Sequence, residues 1–184
     1  MPPLPVILPN ERQGPRTRLT PRMISVQEYN QAVREYTRGV FRFLQKSLKD
    51  KEAADDIVQD CYLKLWQHRD RVDPQKVKAW LFSVAHRAMI DHLNAAARRV
   101  TLDEHVAAPP VYQNNPFDAR AILERTLAEL PPLQRSILLL RDLEGYEYRE
   151  IGEILQLNEP QVKVYLFRAR QKVKNAIKEL TNVL

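Results

Sequence analysis

The chain has 184 residues, 44% of them hydrophobic and 28% charged, enough for one domain or two small ones with modest cores. A net charge of +6 and a pI near 9.5 favour a polyanionic partner, although a soluble protein with a lysine-rich surface would show the same balance. A single cysteine excludes an internal disulfide, four glycines leave no glycine-rich phosphate loop, dinucleotide fingerprint or serine elbow, and no segment approaches the roughly 20 apolar residues that span a bilayer.

Residues 1–24 are rich in proline and arginine and lack an amphipathic period, which predicts an extended or disordered tail. The opening MPPLPVILP is broken by prolines and has no charged leader, so a cytoplasmic protein is expected, with Met23 as an alternative start to Met1. Helix then follows helix. Tyr29, Val33, Tyr36, Val40, Phe43 and Leu44 mark the apolar face of a first. Ala54, Ile57, Val58, Cys61, Tyr62 and Leu65 mark a second, and Val77, Trp80, Leu81, Val84, Ala85 and Ala88 a third. Cys61 falls on such a face and reads as a core thiol, while Asp73-Pro74 reads as the cap and first turn of the third helix. These three helices form a small bundle over residues 25–96.

The helical period fades over residues 97–115, where VTLDEHVAAPPVYQNN predicts a flexible linker. Fully extended, such a linker reaches on the order of 55 Å. A second domain, residues 116–184, begins with a helix opened by Asn115-Pro116 and carrying Ile122, Leu123, Leu127 and Leu130. Pro131-Pro132 ends that helix and opens the next, which runs over 133–143 and stops at Gly145 in a left-handed turn. Next, Ile151, Ile154 and Leu155 share one face of a short helix, Gln156-Leu157-Asn158 make a turn, and Val162, Leu166, Ala169 and Val173 share one face of a last helix. That is the spacing of a helix-turn-helix. With no alternating strand pattern, the fold class is all-α: two small helical domains joined by a flexible linker.

Charge assigns roles to these helices. Residues 142–153 carry Asp142, Glu144, Glu147, Glu150 and Glu153, whereas Lys163, Arg168, Arg170, Lys172, Lys174 and Lys178 follow. Asn158 is the expected N-cap of the last helix, which leaves backbone donors free to meet a phosphate. Gln161, Lys163, Val164, Phe167, Arg168 and Gln171 fall on or beside its outer face. An exposed phenylalanine among cations suits base edges, thymine methyls and phosphates of a major groove; the competing role for Phe167 is packing against a neighbouring helix. In the third helix, Trp80 and Phe82 alternate with Lys76, Lys78, His86, Arg87, His92, Arg98 and Arg99, a mixture suited to unstacked bases and a single-strand backbone. Trp80 also lies on the apolar stripe, which gives it a core role by default, whereas His86 and Arg87 are expected to face outward. Asp55, Asp56, Gln59, Asp60 and Lys64 form the polar face of the second helix, either a solvated surface or a dock for a basic partner. No histidine or glutamate joins them at metal-ligand spacing, and no catalytic constellation is visible. No cofactor and no enzymatic activity are expected.

Taken together, ADDIVQDCYLKLWQH, AWLFSVAHRAMIDHL and LAELPPLQRSILLLRDLEGYEYREIGEILQLNEPQVKVYLFRARQKV resemble, in order and spacing, the extracytoplasmic-function (ECF) group of bacterial RNA polymerase sigma factors. The resemblance implies a first domain that binds the clamp of the polymerase largest subunit and captures the melted minus-ten element. It implies a second that binds the flap of the other large subunit and the duplex minus-thirty-five element. On that pattern Asp56, Gln59 and Asp60 dock on the clamp; Lys78, Ser83, His86, Arg87, Arg98 and Arg99 face the minus-ten strand; and Gln161, Lys163, Val164, Phe167 and Arg168 read the minus-thirty-five groove. Arg87 stands where the family commonly has asparagine, and Gln156 where it commonly has glycine. The implied partners are core RNA polymerase, promoter DNA and an anti-sigma factor, which is often membrane-bound in this family. The rival reading is a stand-alone helix-turn-helix regulator dimerising through its first bundle; a metal-dependent nuclease using Asp55 and Asp56 ranks third.

Overall fold

The computed structural model describes residues 23–102 and 119–181. The proline-rich tail, the linker's Pro109-Pro110 and the Asn115-Pro116 helix start lie outside the described residues.

Helices α1 (Val26–Leu48), α2 (Lys51–Gln67) and α3 (Val77–Leu102) form the first bundle. Ser25 opens α1 through a reciprocal cap: its hydroxyl accepts from Glu28 N at 3.2 Å, and its own N–H donates to the Glu28 carboxylate at 2.9 Å. Lys49, with φ 59°, closes α1, and Asp50 caps α2 by accepting from Ala53 N at 3.0 Å. So short a connection makes α1 and α2 antiparallel neighbours. All six apolar positions expected in α2 are buried, against Val40, Phe43 and Leu44 of α1 and Leu81, Phe82, Ala85 and Met89 of α3. Tyr62 adds a hydrogen bond across the bundle, donating to Ala32 O at 3.1 Å. Asp73 accepts from Gln75 N at 2.9 Å and Pro74 starts a single 3-10 turn leading into α3, close to the expected cap.

Two boundaries differ from the expectation. Ile24 belongs to the core rather than to the tail: it is 1% exposed, and its N–H donates to Arg69 O at 2.8 Å, tying the start of α1 to the loop after α2. Helix α3 also runs past residue 96 to Leu102, because the run AAARR supplies strong helix formers where an apolar stripe no longer marks the helix.

The second bundle comprises α4 (Ala119–Glu129), α5 (Pro132–Leu138), α6 (Tyr148–Leu155) and α7 (Glu159–Thr181). The helix expected over 133–143 is α5 continued by a π-helical turn, Leu139–Leu143, which ends with Gly145 at φ 75° as anticipated. Its widened hydrogen bonds, Glu144 N to Leu139 O at 3.1 Å and Tyr146 N to Leu140 O at 3.0 Å, swing Glu144 and Tyr146 toward the first bundle. The two bundles touch. Arg135 of α5 is buried and donates to Ser47 O of α1 at 2.6 Å and to Ala128 O at 2.6 Å; these carbonyls compensate a guanidinium whose pKa burial lowers.

Candidate nucleic-acid interface

The helix-turn-helix is tight because of one glycine. A Cβ on Gly152 would meet Leu157 O at 2.6 Å, so only glycine lets the turn fold back onto α6. Gln156 ends α6 in the left-handed conformation, φ 59° and ψ 43°, the geometry glycine would adopt most readily, and its N–H donates to Gly152 O. Ile151 and Ile154 are buried against Val162, Leu166 and Ala169 of α7, as their spacing predicts, with Leu155 and Val173 half-buried beside them.

Helix α7, about 35 Å long from its 23 residues, turns its other side outward. Phe167 is 62% exposed and Val164 49%, which removes the packing alternative for Phe167. Arg168 is exposed and has no ion-pair partner among the described residues. Lys163 is exposed too, 4.0 Å from the Glu159 carboxylate, with its ammonium 5.4 Å from the Tyr148 ring centroid. Gln161 is partly committed elsewhere: its side chain accepts from Asn158 N at 3.0 Å while its own N–H donates to the Asn158 side chain at 2.9 Å. This reciprocal cap starts the helix and still leaves the Gln161 amide NH2 for a ligand.

Not all the basic residues of α7 face outward. Arg170 grips Asp142 of the π turn with two hydrogen bonds, 2.5 and 3.1 Å, which raise the guanidinium pKa. Lys172 donates to Glu129 O at 2.9 Å. The acidic-to-basic charge switch thus aims α7, while the cations away from these anchors face solvent. Between α4, the π turn and α7 lies a groove of about 620 Å³ lined by Leu123, Leu127, Leu138, Leu139, Val173 and Ile177, with Lys46 of α1 at its edge. It escaped the sequence reading because its lining comes from separate helices.

On the first bundle, Arg87, Arg98 and Arg99 are exposed, and Ser83 and Lys78 half-buried. His86 departs from the outward orientation expected of it. It is half-buried, and burial, helped by the neighbouring Arg87, lowers its pKa so that the neutral imidazole is favoured. Phe82 is 1% exposed, edge-on to Phe43 at 5.8 Å and Tyr146 at 5.0 Å; it is a core residue and not a base-stacking one. Trp80 packs against the core, half-buried, in keeping with its place on the apolar stripe.

The polar face of α2 presents Asp56, Gln59 and Asp60, all exposed. Beside them stand two apolar groups that the sequence reading passed over, Leu63 at 54% exposure and Trp66 at 38%. Trp66 is held edge-on to Tyr29 at 5.1 Å, with the Arg69 guanidinium 4.0 Å from its ring centroid. The signal was available, since Leu63 lies four residues beyond Gln59 and three beyond Asp60, on the same helical face. Among the described residues no cluster of His, Cys, Asp and Glu could hold a metal ion, and no helix is long and apolar enough to cross a membrane.

Comparison with known proteins matches this division. Residues 32–99 fit the family description "Sigma-70 region 2", and residues 120–173 fit "Sigma-70, region 4". The chain is 33% identical over 145 residues to the ECF RNA polymerase sigma factor SigM of Bacillus subtilis, covering 76% of this chain and 88% of that protein. It is 26% identical over 153 residues to the ECF RNA polymerase sigma factor SigL of Mycobacterium tuberculosis, covering 79% and 86%. Among solved structures, its fold resembles the sigma factor RpoE in complex with the anti-sigma factor NepR from Bartonella quintana, with a TM-score of 0.69 at 22% identity over 83% of this chain and 98% of that one. CnrH in complex with the cytosolic domain of CnrY gives a TM-score of 0.62 at 21% identity, over 82% and 88%. With both regions matched in order and a relative of this similarity nearly spanned, the chain belongs to the extracytoplasmic-function group of RNA polymerase sigma factors.

Proposed function

We propose that this sigma factor directs transcription initiation through separate surfaces whose residues can be named. The outer face of α7, with Gln161, Lys163, Val164, Phe167 and Arg168, reads the duplex minus-thirty-five element. Lys78, Ser83, His86, Arg87, Arg98 and Arg99 along α3 meet the melted minus-ten strand, and Asp56, Gln59 and Asp60, joined by Leu63 and Trp66, dock on the polymerase clamp. The groove between α4 and α7 takes an apolar segment of the polymerase flap. The observation that carries this reading is the exposed apolar and cationic face of α7, with Phe167 62% exposed on a helix anchored from behind by the Arg170–Asp142 pair.

The exposed arginines neutralise phosphates, whereas His86, whose Nε2 is buried without a hydrogen-bond partner among the described residues, meets a base through its other ring nitrogen. Unstacking costs a few kcal/mol per step, and contacts to the captured bases and phosphates offset it. The bond chemistry is the polymerase's, the site of action is the cytoplasm, and an anti-sigma protein, like the one seated on the Bartonella quintana neighbour, is the expected inhibitor.

The test uses a fluorescent promoter duplex mixed with this protein, with core polymerase, or with both. Stable binding and opening only in the presence of both supports the reading. Tight, sequence-specific duplex binding by the protein alone would favour the stand-alone regulator.

A further inference from the structure

An uncovered stripe runs along the outer side of α2 and ends where the chain enters the first bundle. Glu52, Asp56, Gln59, Leu63 and Trp66 recur at intervals of three or four residues, with Asp60 beside them, and all are exposed. From Glu52 to Trp66 the stripe is ~21 Å long at ~1.5 Å per residue. Among the described residues, none of its carboxylates, on Glu52, Asp56 and Asp60, has an ion-pair partner. Its last turn is apolar. Trp66 stands edge-on to Tyr29 at 5.1 Å, and Val26, one turn before Tyr29 on α1, is 58% exposed. At this end the Ile24 N–H donates to Arg69 O at 2.8 Å, and the Arg69 guanidinium lies 4.0 Å from the Trp66 ring centroid, so the chain joins the bundle beside Trp66.

The segment that precedes this entry is the chemical complement of the stripe. Residues 16–22, RTRLTPR, carry Arg16, Arg18 and Arg22 with Leu19 among them and no acid, and the only acid over residues 1–22 is Glu11. Lengths agree as well. An extended, proline-containing segment rises ~3.1 Å per residue, so these seven residues span roughly 22 Å, the length of the stripe. Laid back along α2 from the Trp66 end, such a segment brings Arg18 and Arg16 beside Asp56 and Glu52. Exposed ion pairs are individually weak, and the tether is what makes a few of them sufficient. A segment joined to the bundle at Met23 meets the stripe at a millimolar effective concentration, whatever the dilution of the protein.

We propose that the basic segment 16–22 is an internal occupant of the α2 stripe and competes there with the polymerase clamp. The docking itself rests on the stripe, its charge and the tether; the competition rests on the reading of Asp56, Gln59 and Asp60 given under the proposed function. A segment of about millimolar affinity at millimolar effective concentration covers the stripe for about half of the time or more, which raises the apparent dissociation constant for polymerase about two- to tenfold. Translation from Met23 gives the same chain without this brake, so the choice between the two starts sets the affinity for polymerase.

The test places a nitroxide on the full chain at Thr17→Cys, where the buried Cys61 does not compete for the label, and reads paramagnetic broadening of amide signals by NMR in dilute protein. The labelled segment should broaden the signals of residues 52–66 and the Trp66 indole. Arg16→Glu, Arg18→Glu and Arg22→Glu together, in the same labelled chain, should abolish that broadening. An α2 free of broadening, or broadening unchanged by the triple reversal, overturns the proposal. Core-polymerase affinity of the unlabelled proteins then separates the two claims. Binding about two- to tenfold tighter in the reversed variant supports the competition. Docking lost on reversal, with core affinity unchanged or reduced, sustains the internal occupant and overturns the placement of the clamp on this stripe. An α2 free of broadening, together with weaker binding of the reversed variant to duplex DNA, assigns the segment to DNA and overturns the proposal.

Discussion

Gly152→Ala is a one-methyl test of how the recognition helix is set. The new Cβ would lie 2.6 Å from Leu157 O, whereas a carbon and a carbonyl oxygen rest about 3.3 Å or more apart, so the turn must give by about 0.7 Å. No flexible side chain can absorb that movement. The obstructing atom is backbone, and the N–H groups of Gln156 and Leu157 both donate to Gly152 O, the latter at 2.9 Å, so displacing the turn strains the bonds that close α6. Overpacking of this kind costs about 1–3 kcal/mol, offset by the ~1 kcal/mol that alanine gains over glycine within a helix. The net loss is up to about 2 kcal/mol and centres on about 1 kcal/mol, which lowers the melting temperature of a domain this size by about 4–8 °C at the central value. Gln156→Gly should act in the opposite sense. Glycine relieves a left-handed residue costing about 1–2 kcal/mol and forfeits about 0.5–1 kcal/mol of chain entropy, a net gain of about 0–1.5 kcal/mol. Thermal unfolding by circular dichroism, with minus-thirty-five-dependent transcription at a permissive temperature, measures both. A Gly152→Ala variant that melts above the wild type, or a Gln156→Gly variant that melts below it, refutes the description of the turn.

Arg168→Ala should lower promoter-specific transcription roughly tenfold, the scale of one base or phosphate contact, while core-polymerase binding stays near normal; Asp60→Arg should do the reverse, and equal loss of both activities in both variants would sink the division of labour. Promoter binding should weaken steeply as salt rises, and a flat salt dependence would contradict phosphate-dominated contact. Burial lowers the His86 pKa below its ordinary 6.5, so the unfolded chain binds the proton more readily. Stability should therefore be full above about pH 6.5 and fall as pH drops below it, with less of that loss in His86→Gln; parallel loss in both proteins, measured by urea unfolding, would contradict the buried neutral imidazole. Burial pushes the Cys61 thiol up to about 12, so a thiol reagent near pH 8 should react only with unfolded protein, and fast labelling of the native chain would show the core placement to be wrong.

Periodicity made most of the helices legible. The α2 stripe is buried at every expected position because a two-sided helix in a bundle leaves an unambiguous apolar face. The same reasoning found the helix-turn-helix, Gly145 and the Asn158 cap, features that depend on residues close together in the chain. It misjudged Phe82 and His86, because α3 packs on two sides, against α1 and α2 and against the second bundle, so its buried face is wider than one stripe. Glu144 and Tyr146 gave no sign of their part in the contact between the bundles. Their partners, Arg42 and Phe82, lie about a hundred and about sixty-five residues away, and a π turn, which no local pattern announced, sets their direction. Leu63 and Trp66 were overlooked because exposed apolar residues stand out only once a structure shows them uncovered.

The central claim is that this chain confers promoter choice on a polymerase that lacks it. The most direct measurement maps transcript 5′ ends made from genomic DNA by core polymerase with and without the protein. The account predicts a new set of start sites sharing two sequence blocks, one near minus ten and one near minus thirty-five, absent without the protein and lost with Arg168→Ala. Identical start sites in the two reactions would contradict it.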